Sequence, residues 1–504
     1  MKKFILNHPL GVVMAAAIVF RVLAVLFSKG YMASDDHFET IRIACQWLRD
    51  GPFAANGLLT WGNNPPGSIG RFPLYVFGLY GIMKLYAFAG VTSLDTMMYG
   101  IRAAHALFSL VPIWAVYRAT ELATRSRRWA MLGGAMAALH FAMPYLAVRN
   151  LIEMVGGEIW VVAIFLLYKH RYSRSSVWLY AAGVVTGLAW MVRFELATAA
   201  VVIPFVLWFD ARRIRPAVQY SVGVGVMLLL SGVVDYFLLG TFLGSTINHL
   251  HQIVTESPPY ETSVLIYGAV LLVFFVPPFS LMAFFVTGYK RFWEDHKPLV
   301  FSSLVFLLAH TLSPSRQERY MLAIVPALML IIILALWHHK KFDGFFFRHK
   351  TLLKGIVWPS VVINVVLLVV FTFNYSHRGL VEPLARLERI QPRVSITFFS
   401  PEVGHLYPFD YGGKSIEGRR YVHKWSDLGQ LNGDSTAIGP TMYYILYPPS
   451  ESELQAYVDS VTAHAGPIVE QFAVPPSLVD QILHFLNPRH NRLNAAYVYR
   501  LASR

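Results

Sequence analysis

The sequence predicts an α-helical polytopic membrane protein with about eleven transmembrane helices, followed by a small α/β domain. Composition is the first observation: 55% of the 504 residues are hydrophobic and only 14% are charged, which is too apolar for an ordinary soluble protein of this length. The second is a series of apolar runs, each near the roughly 20 residues that a helix needs to cross a bilayer. The third is a change after Asn374, where hydropathy falls and turn-forming residues become frequent.

The predicted spans are apolar runs with few charged residues, and they cover residues 9–27, 101–117, 129–147, 151–168, 177–191, 194–209, 217–239, 264–287, 299–312, 320–337 and 353–373. The first run follows a basic start, Met1-Lys2-Lys3, as the apolar part of a signal peptide would. It has no small-x-small cleavage site before Lys29 and further spans follow it, so we expect a retained helix.

The distribution of basic residues predicts the side of the membrane on which each loop lies. If residues 72–90 do not cross, twenty Lys and Arg residues lie on one side and ten lie in the opposite short loops. This is the positive-inside pattern, and it explains the net charge of +14 without nucleic acid as a partner. A full crossing by 72–90 would turn Arg125, Arg127 and Arg128 outward. We therefore predict an interfacial or re-entrant segment there, an inner amino end and an outer carboxyl end.

The chain divides into a membrane domain, residues 1–374, and an extracytoplasmic α/β domain, residues 375–504. Strand-like and helix-like runs alternate in the second part, at Ser395–Phe399, Met442–Tyr447, Glu451–Ala463, Leu478–Leu486 and Ala496–Leu501. About 130 residues suffice for one small domain, and the parity of eleven spans places it outside. The single cysteine, Cys45, excludes an internal disulfide and a cysteine-built metal site.

The first outer loop, residues 30–72, carries Asp35 and Asp36 directly after a membrane helix. Adjacent carboxylates at a membrane border are costly unless the site is wet or occupied, so they are candidates for catalysis. The apolar positions Phe38, Ile41 and Leu48 follow at helical spacing and predict an amphipathic interfacial helix. The alternative is that the carboxylates only cap this helix.

A second outer cluster lies between the ninth and tenth spans, at Arg316, Glu318, Arg319 and Tyr320. Paired guanidinium groups suit a phosphate because each offers forked donors that stay charged. The positive-inside rule disfavours Arg residues in outer loops, so their presence here suggests a function. The alternatives are that the arginines contact lipid headgroups, or that Glu318 neutralises one of them.

Two further polar clusters on the outer side could have either a structural or a functional role. Asp235, near the end of the seventh span and followed by Asn248, could accept sugar hydroxyls or orient an arginine. Arg193 and Glu195, between the fifth and sixth spans, could form an internal salt bridge or contact substrate. His249 and His251 lack the helical spacing of metal ligands, so we predict no metal site.

Taken together, these clusters resemble glycosyltransferase family 22 of the multi-spanning type C superfamily, whose members are dolichyl-phosphate-mannose-dependent α-mannosyltransferases. The family's first-loop signature His-Pro-Asp-Glu-x-Phe-Gln is similar to Ala33–Glu39, and its Leu-Thr-Trp and later arginine are similar to Leu59–Trp61 and Arg71. The chain departs from the signature because it lacks the His-Pro and has Asp36 in place of Glu.

Two later motifs carry the same resemblance. The family's Asp-x-x-Phe-Tyr-Gly run, with an Asn beyond it, is similar to Asp235–Gly240 and Asn248. Its His-Lys-Glu-Glu-Arg-Phe motif is similar to Ser315–Tyr320, with Arg316 replacing the usual Lys. The matches span roughly residues 31–330 and indicate a divergent, bacterial member.

The resemblance implies a type C glycosyltransferase architecture and transfer of a hexose, mannose, from a polyprenyl-phosphate-sugar donor to a lipid-linked or glycan acceptor, with inversion. It implies no metal and no cofactor beyond this co-substrate, and contact with glycan or glycolipid acceptors and membrane lipids. The site would face the bacterial periplasm, or the lumen of the endoplasmic reticulum in a eukaryote.

The resemblance also implies roles for individual residues. Asp35 and Asp36 would be catalytic and Arg316 and Arg319 would bind the donor phosphate. The implied substrate-binding residues are Trp61, Arg71, Arg193, Asp235, Asn248, Glu318 and Tyr320.

Two alternatives stay open at this point. A transporter or flippase for a lipid-linked anionic sugar could use the same arginines, and it predicts charged residues along a path near the bilayer middle. Transfer of another lipid-carried sugar, or of phosphoethanolamine, is the alternative within enzymes.

Overall fold

The structure is a computed structural model that describes residues 8–53, 72–255, 263–285, 289–313, 316–342, 344–390, 394–399, 411, 416–422, 441–488, 493 and 495–502. The chain forms two compact units. The first contains Met1–Ala24, Arg49–Gly78 and Ala103–Thr372, and the second contains Val25–Leu48, Leu79–Arg102 and Phe373–Arg504.

Helices dominate the chain up to Thr372. They are α1 Pro9–Phe27, α2 Thr40–Asp50, α3 Leu74–Phe88, α4 Leu94–Phe108, α5 Leu110–Thr124, α6 Arg127–Leu139, α7 Ala142–Leu146, α8 Ile152–Ser173, α9 Val177–Val192, α10 Ala197–Ala211, α11 Arg215–Leu239, α12 Gly244–Thr255, α13 Ile266–Phe274, α14 Tyr289–Leu312, α15 Val325–Lys341, α16 Phe345–Arg348 and α17 Lys350–Thr372. Short π- or 3₁₀-helical turns occur at Asp35–Glu39, Phe194–Leu196, Phe279–Phe285 and Glu318–Ile324.

Several of these helices have the length and composition of membrane spans. Within the described residues, the six that qualify are Pro9–Phe27, Leu94–Thr124, Phe194–Ala211, Arg215–Leu239, Glu318–Lys341 and Lys350–Thr372. The apolar helices Leu74–Phe88 and Val177–Val192 are shorter. The chain is thus an integral membrane protein, as predicted, while the count of eleven spans and the interfacial assignment of 72–90 stay predictions.

Two predicted spans are broken rather than continuous. The run 264–287 divides after Phe274, because Pro277 and Pro278 lack the backbone N–H that a helix interior requires. The run 129–147 divides at His140 and Phe141. There the amide of Asn364, from α17, accepts a hydrogen bond from the Phe141 N–H (2.8 Å) and donates one to the Leu139 carbonyl (2.9 Å). A polar side chain on one membrane helix thereby satisfies backbone groups that a break in another would leave unpaired.

The second unit contains a five-stranded mixed sheet with the strand order β2-β1-β3-β5-β4. Its elements are α18 Arg378–Ile390, β1 Val394–Phe399, β2 Ile416–Val422, β3 Thr441–Leu446, α19 Leu454–Ala465, β4 Ile468–Val474, α20 Leu478–Leu486 and β5 Ala496–Leu501. Strand β1 pairs in parallel with β2 and β3, whereas β5 pairs antiparallel with β3 and β4. The predicted small α/β domain is confirmed.

The start of the first outer loop, residues 30–48, belongs to this same unit. Gly30 and Ser376 form a parallel β-bridge, in which the Ser376 N–H donates to the Lys29 carbonyl (3.1 Å) and its hydroxyl to the Tyr31 carbonyl (2.7 Å). A division of the chain at residue 374 therefore separates segments that pack together, since 25–48 and 79–102 share one unit with the carboxyl-terminal residues.

We predict that Gly30→Ala destabilises the protein more than Gly90→Ala. Both glycines have a left-handed backbone (φ 85° and 81°), which costs an L-residue roughly 1–2 kcal/mol. A Cβ at Gly30 would also lie 1.8 Å from the Ser376 carbonyl oxygen, whereas one at Gly90 would meet nothing within 4 Å. Thermal unfolding in detergent measures both variants, and equal losses of Tm would contradict the account of the bridge.

Candidate active site

The paired carboxylates lie in a π-helical turn, Asp35–Glu39, that leads directly into α2. Such wider turns are uncommon and occur frequently at functional sites. Ser34, the residue before the turn, has a helical backbone and its side chain makes no capping hydrogen bond. This observation concerns Ser34 alone, so the alternative that the carboxylates cap the helix stays open.

The two carboxylates differ in exposure. Asp36 is fully buried (0% exposed), and its carbonyl accepts a hydrogen bond from the Thr40 hydroxyl (2.5 Å). Asp35 is only half-buried. A general base must come within hydrogen-bond reach of the proton it removes, so Asp35 is the better placed of the two to meet a substrate.

Aromatic residues support the turn from the carboxyl-terminal part of the same unit. The His37 ring stacks on Tyr31 (ring centres 5.5 Å apart), and a ring nitrogen of His37 is 3.0 Å from the Tyr411 hydroxyl. Tyr31 also stacks on His377 at 4.5 Å. Burial raises the pKa of Tyr31, and nearby Asp480 and Tyr411 raise it further, so this phenol stays neutral. The carboxylate turn is thus held by packed rings.

The first unit builds a second polar cluster around Glu153, in the first turn of α8. Glu153 is fully buried, and its Oε1 lies 3.4 Å from a guanidinium nitrogen of Arg193 and 3.7 Å from Nε of Arg319. Arg193 also pairs with Glu195 at 2.8 Å, which is the internal salt bridge that the sequence suggested as one alternative. Two predicted substrate-binding or phosphate-binding arginines therefore share one carboxylate.

Close packing lets these residues meet. The 3₁₀ turn Glu318–Ile324 lies against α8 at Gly157, where a Cβ would stand 2.1 Å from the Ala323 carbonyl oxygen. The ring of Tyr320 lies beneath both arginines, 5.0 Å from the Arg193 guanidinium and 5.6 Å from that of Arg319. Only glycine at position 157 permits this approach, which brings Arg319 within reach of Glu153.

The two predicted phosphate-binding arginines are each held by acceptors of their own segment. Arg316 donates to the carbonyls of Thr311 (3.3 Å) and Ser313 (2.8 Å) at the end of α14. Arg319 donates through Nε to the Gln317 side chain (2.7 Å). Glu318 lies between them in sequence and is half-buried. Both guanidinium groups are therefore oriented before any ligand arrives.

Asp235 has a local structural role. Its Oδ2 accepts hydrogen bonds from the backbone N–H (2.9 Å) and the hydroxyl (2.6 Å) of Ser245, so it holds the start of α12. Asn248 is half-buried on α12, and the neighbouring His249 ring contacts Phe194 (4.5 Å), the residue after Arg193. Asp235 thus fixes the helix that carries Asn248.

Two predicted substrate-binding residues, Trp61 and Arg71, lie outside the residues that the structure describes. In the described part, no three His, Cys, Asp or Glu side chains converge as metal ligands would. Glu153 was missed by the sequence analysis, although an acidic residue inside an apolar run is a recognisable signal.

Comparison with known proteins identifies the fold. The family model described as Dolichyl-phosphate-mannose-protein mannosyltransferase matches residues 80–236, which is less than half of the chain. No curated protein matches the sequence significantly.

The crystal structure of ArnT from Cupriavidus metallidurans in the apo state matches with a TM-score of 0.61 at 14% identity, over 98% of both chains. The same protein bound to undecaprenyl phosphate matches at 0.57. The oligosaccharyltransferase of Archaeoglobus fulgidus matches at 0.52 and 11% identity, over 91% of this chain and 70% of that one. The chain therefore has the type C glycosyltransferase fold, and this part of the prediction is confirmed.

We predict that Glu153→Gln destabilises the protein strongly, because it leaves buried Arg193 and partly buried Arg319 without their shared counter-charge. Removing one partner of a buried ion pair costs about 3–5 kcal/mol. The control is Glu121→Gln, which breaks the more exposed pair with Arg118, where we expect about 0–1 kcal/mol. Thermal unfolding in detergent measures both, and an equally small effect of the two substitutions would show that the shared carboxylate does not hold the cluster.

Proposed function

We propose that this protein is a membrane glycosyltransferase that moves a hexose from a polyprenyl-phosphate-sugar donor to a lipid-linked or glycan acceptor. The observation that carries the proposal is the type C glycosyltransferase fold over 98% of the chain. Two of the similar structures were determined with a lipid phosphate, undecaprenyl phosphate in ArnT and dolichol-phosphate in the Archaeoglobus enzyme AglB. A lipid phosphate is the leaving group of the donor proposed here.

Mannose is the sugar that we propose. The match of residues 80–236 to a dolichyl-phosphate-mannose-dependent family supports this choice, as do the motifs around Asp35 and Arg319. The competing candidate is another lipid-carried sugar, because the similar structures hold a lipid phosphate, which does not identify a sugar.

In the mechanism that we propose, Asp35 accepts the proton of the acceptor hydroxyl. The oxygen of that hydroxyl attacks the anomeric carbon, and the bond from this carbon to the phosphate oxygen breaks. The polyprenyl phosphate leaves with the bonding electron pair. A single displacement inverts the anomeric centre. Buried Asp36 would support Asp35 and, with it, make up the predicted catalytic pair.

Arg316 and Arg319 bind the donor phosphate in this proposal. Their fixed donors would stabilise the negative charge that grows on the leaving phosphate, an electrostatic contribution that is often the largest in catalysis. Glu153 would keep Arg193 and Arg319 in place, and Arg193, Asn248, Glu318 and Tyr320 would line the sugar site. Trp61 and Arg71 complete the proposed substrate contacts, whereas Asp235 would act by holding α12.

We propose further that the site faces the periplasm of a bacterial inner membrane, and that the domain from residue 375 lies on the same side. The Lys and Arg distribution supports this orientation. We predict that alkaline phosphatase fused after Arg504 is active and that a green fluorescent protein fused there is dark. The reverse pattern would overturn the orientation.

We predict that Asp35→Asn lowers transfer by roughly 10²- to 10⁴-fold, the usual contribution of a general base, while donor binding is retained. Release of polyprenyl phosphate from a radiolabelled donor measures transfer. The control is Asp50→Asn at the exposed end of α2, which should transfer normally. Full activity of Asp35→Asn would contradict the assignment of the base, and loss of activity in Asp36→Asn alone would exchange the two roles.

We predict that Arg319→Lys weakens donor binding although it keeps the charge, because lysine lacks the forked geometry. One charge-assisted hydrogen bond contributes roughly 1.5–3 kcal/mol, or about 10- to 100-fold in affinity. Arg127→Lys, at an exposed position of α6, should bind the donor as the unmodified protein does. An unchanged affinity in the double variant Arg316→Ala/Arg319→Ala would remove these residues from the phosphate site.

A further inference from the structure

A cleft of about 490 Å³ in the second unit is not used by the proposed reaction. It is lined by α18, the end of α1, the residues directly after α17, and the start of α20. We call it the arginine cleft, because Arg378, Arg386 and Arg389 of α18 line it together with Lys29. Its acidic lining residues are Asp95 and Glu382, so the lining side chains carry a net charge of +2. Two further carboxylates lie next to the lining: Asp480 accepts a hydrogen bond from the Arg378 N–H, and Glu388 accepts one from Ser93.

The acidic residues orient the arginines without cancelling their charge. Glu382 accepts hydrogen bonds from Arg378 and from Nε of Arg386 (2.8 Å), and Asp95 pairs with Arg389 at 2.5 Å. Burial favours the neutral form of Glu382, but the two arginines outweigh it and lower its pKa, so this carboxylate is ionised at neutral pH. The guanidinium groups stay accessible, and the Arg389 side chain is 66% exposed. The cleft therefore offers oriented, excess positive charge.

The cleft also has an apolar wall, formed by residues at or next to helix ends. Leu26 and Phe27 end α1, Phe373 directly follows α17, and the Phe27 and Phe373 rings are 5.2 Å apart. Both helices are long and apolar enough to cross a membrane. Leu478, at the start of α20, also lines the cleft. The cleft thus combines cationic lining residues with apolar lining residues that lie at or next to the ends of long apolar helices.

We propose that the arginine cleft binds the phosphate group of an anionic membrane lipid, with the acyl chains against Leu26, Phe27 and Phe373. The forked donors of arginine match phosphate oxygens. The apolar wall selects a lipid over a free phosphate, since only a lipid gains from contact with Phe27 and Phe373. The proposal involves neither Arg316 nor Arg319, and it holds whether or not the protein transfers a sugar.

Titration of the full-length protein in zwitterionic detergent micelles with phosphatidylglycerol, followed by native mass spectrometry, tests the proposal. A basic residue near a membrane surface contributes about 1 kcal/mol to binding an anionic lipid, which is about five-fold in affinity. The double variant Lys29→Gln/Arg386→Gln should therefore bind phosphatidylglycerol roughly 25-fold more weakly. The matched control is Arg42→Gln/Lys84→Gln, which removes two exposed charges of the same unit outside the cleft and should change the affinity less than two-fold by the same reasoning.

A second variant changes affinity in the opposite direction. Glu382→Gln raises the net charge of the cleft and removes the carboxylate that pairs with Arg378 and Arg386. Both guanidinium groups can then bind the ligand, so this variant should bind the lipid about five-fold more tightly. If the double variant Lys29→Gln/Arg386→Gln does not fold, the result for Glu382→Gln alone tests the proposal. Unchanged or weaker binding by Glu382→Gln, or equal losses in the double variant and its control, would overturn the proposal.

Two further titrations identify the source of the phosphate. Phosphatidylcholine, which has the same phosphate but no net charge, should bind at least five-fold more weakly than phosphatidylglycerol. Inorganic phosphate at the same free concentration should not displace the lipid. Displacement by inorganic phosphate, or equal binding of the two lipids, would contradict an anionic-lipid site.

Discussion

A charged or polar group that leaves water near a bilayer must find its partner inside the protein, and much of this structure follows from that constraint. Buried Glu153 is matched by Arg193 and Arg319. The backbone N–H and carbonyl groups left unpaired at the break between α6 and α7 are hydrogen-bonded by the amide of Asn364. In each case a single side chain joins segments far apart in sequence, so the pairing that satisfies the buried group also fixes the packing of the helices.

The same constraint prepares the candidate site for chemistry. Arginines that are already oriented by Glu153, Glu195 and Gln317 would lose little conformational freedom when a phosphate arrives, which is how a preorganised site favours a developing charge. The Asp35 turn is supported differently, by the Tyr31 ring and by Tyr411 and His377 from the carboxyl-terminal part of its own unit. Residues after Phe373 are therefore part of the support of the carboxylates, and we expect their removal to disturb the turn.

The sequence predicted features that depend on local pattern. The polytopic helical fold and strands β1, β3 and β5 follow from apolar runs and turn residues, and α19 and α20 lie close to their predicted bounds. Strands β2 and β4 were missed. They are the two edges of the sheet, and β4 has a register shift between Glu470 and Phe472 that interrupts its alternation.

The local sequence pattern could not predict contacts between segments that are far apart in the chain. Glu153 was read as part of an apolar span, because its partner Arg319 is 166 positions away and only packing at Gly157 unites them. The arginine cleft joins Lys29, Asp95 and α18 for the same reason. Residue types and their local spacing indicate candidate functional residues, but the tertiary fold decides which buried charges form pairs.

We propose that the protein cleaves its lipid-linked sugar donor rather than moving it across the membrane. Fully buried Arg21 hydrogen-bonds to Ser109 and to the Ala138 carbonyl within the helical unit, so its charge is used in packing. Reconstitution of the purified chain in liposomes with polyprenyl-phosphate-[¹⁴C]mannose and candidate glycolipid acceptors tests the claim most directly. We predict that free polyprenyl phosphate and a labelled acceptor appear in equal amounts. Intact donor that passes between the leaflets, with no release of polyprenyl phosphate, would contradict the account and identify a transporter.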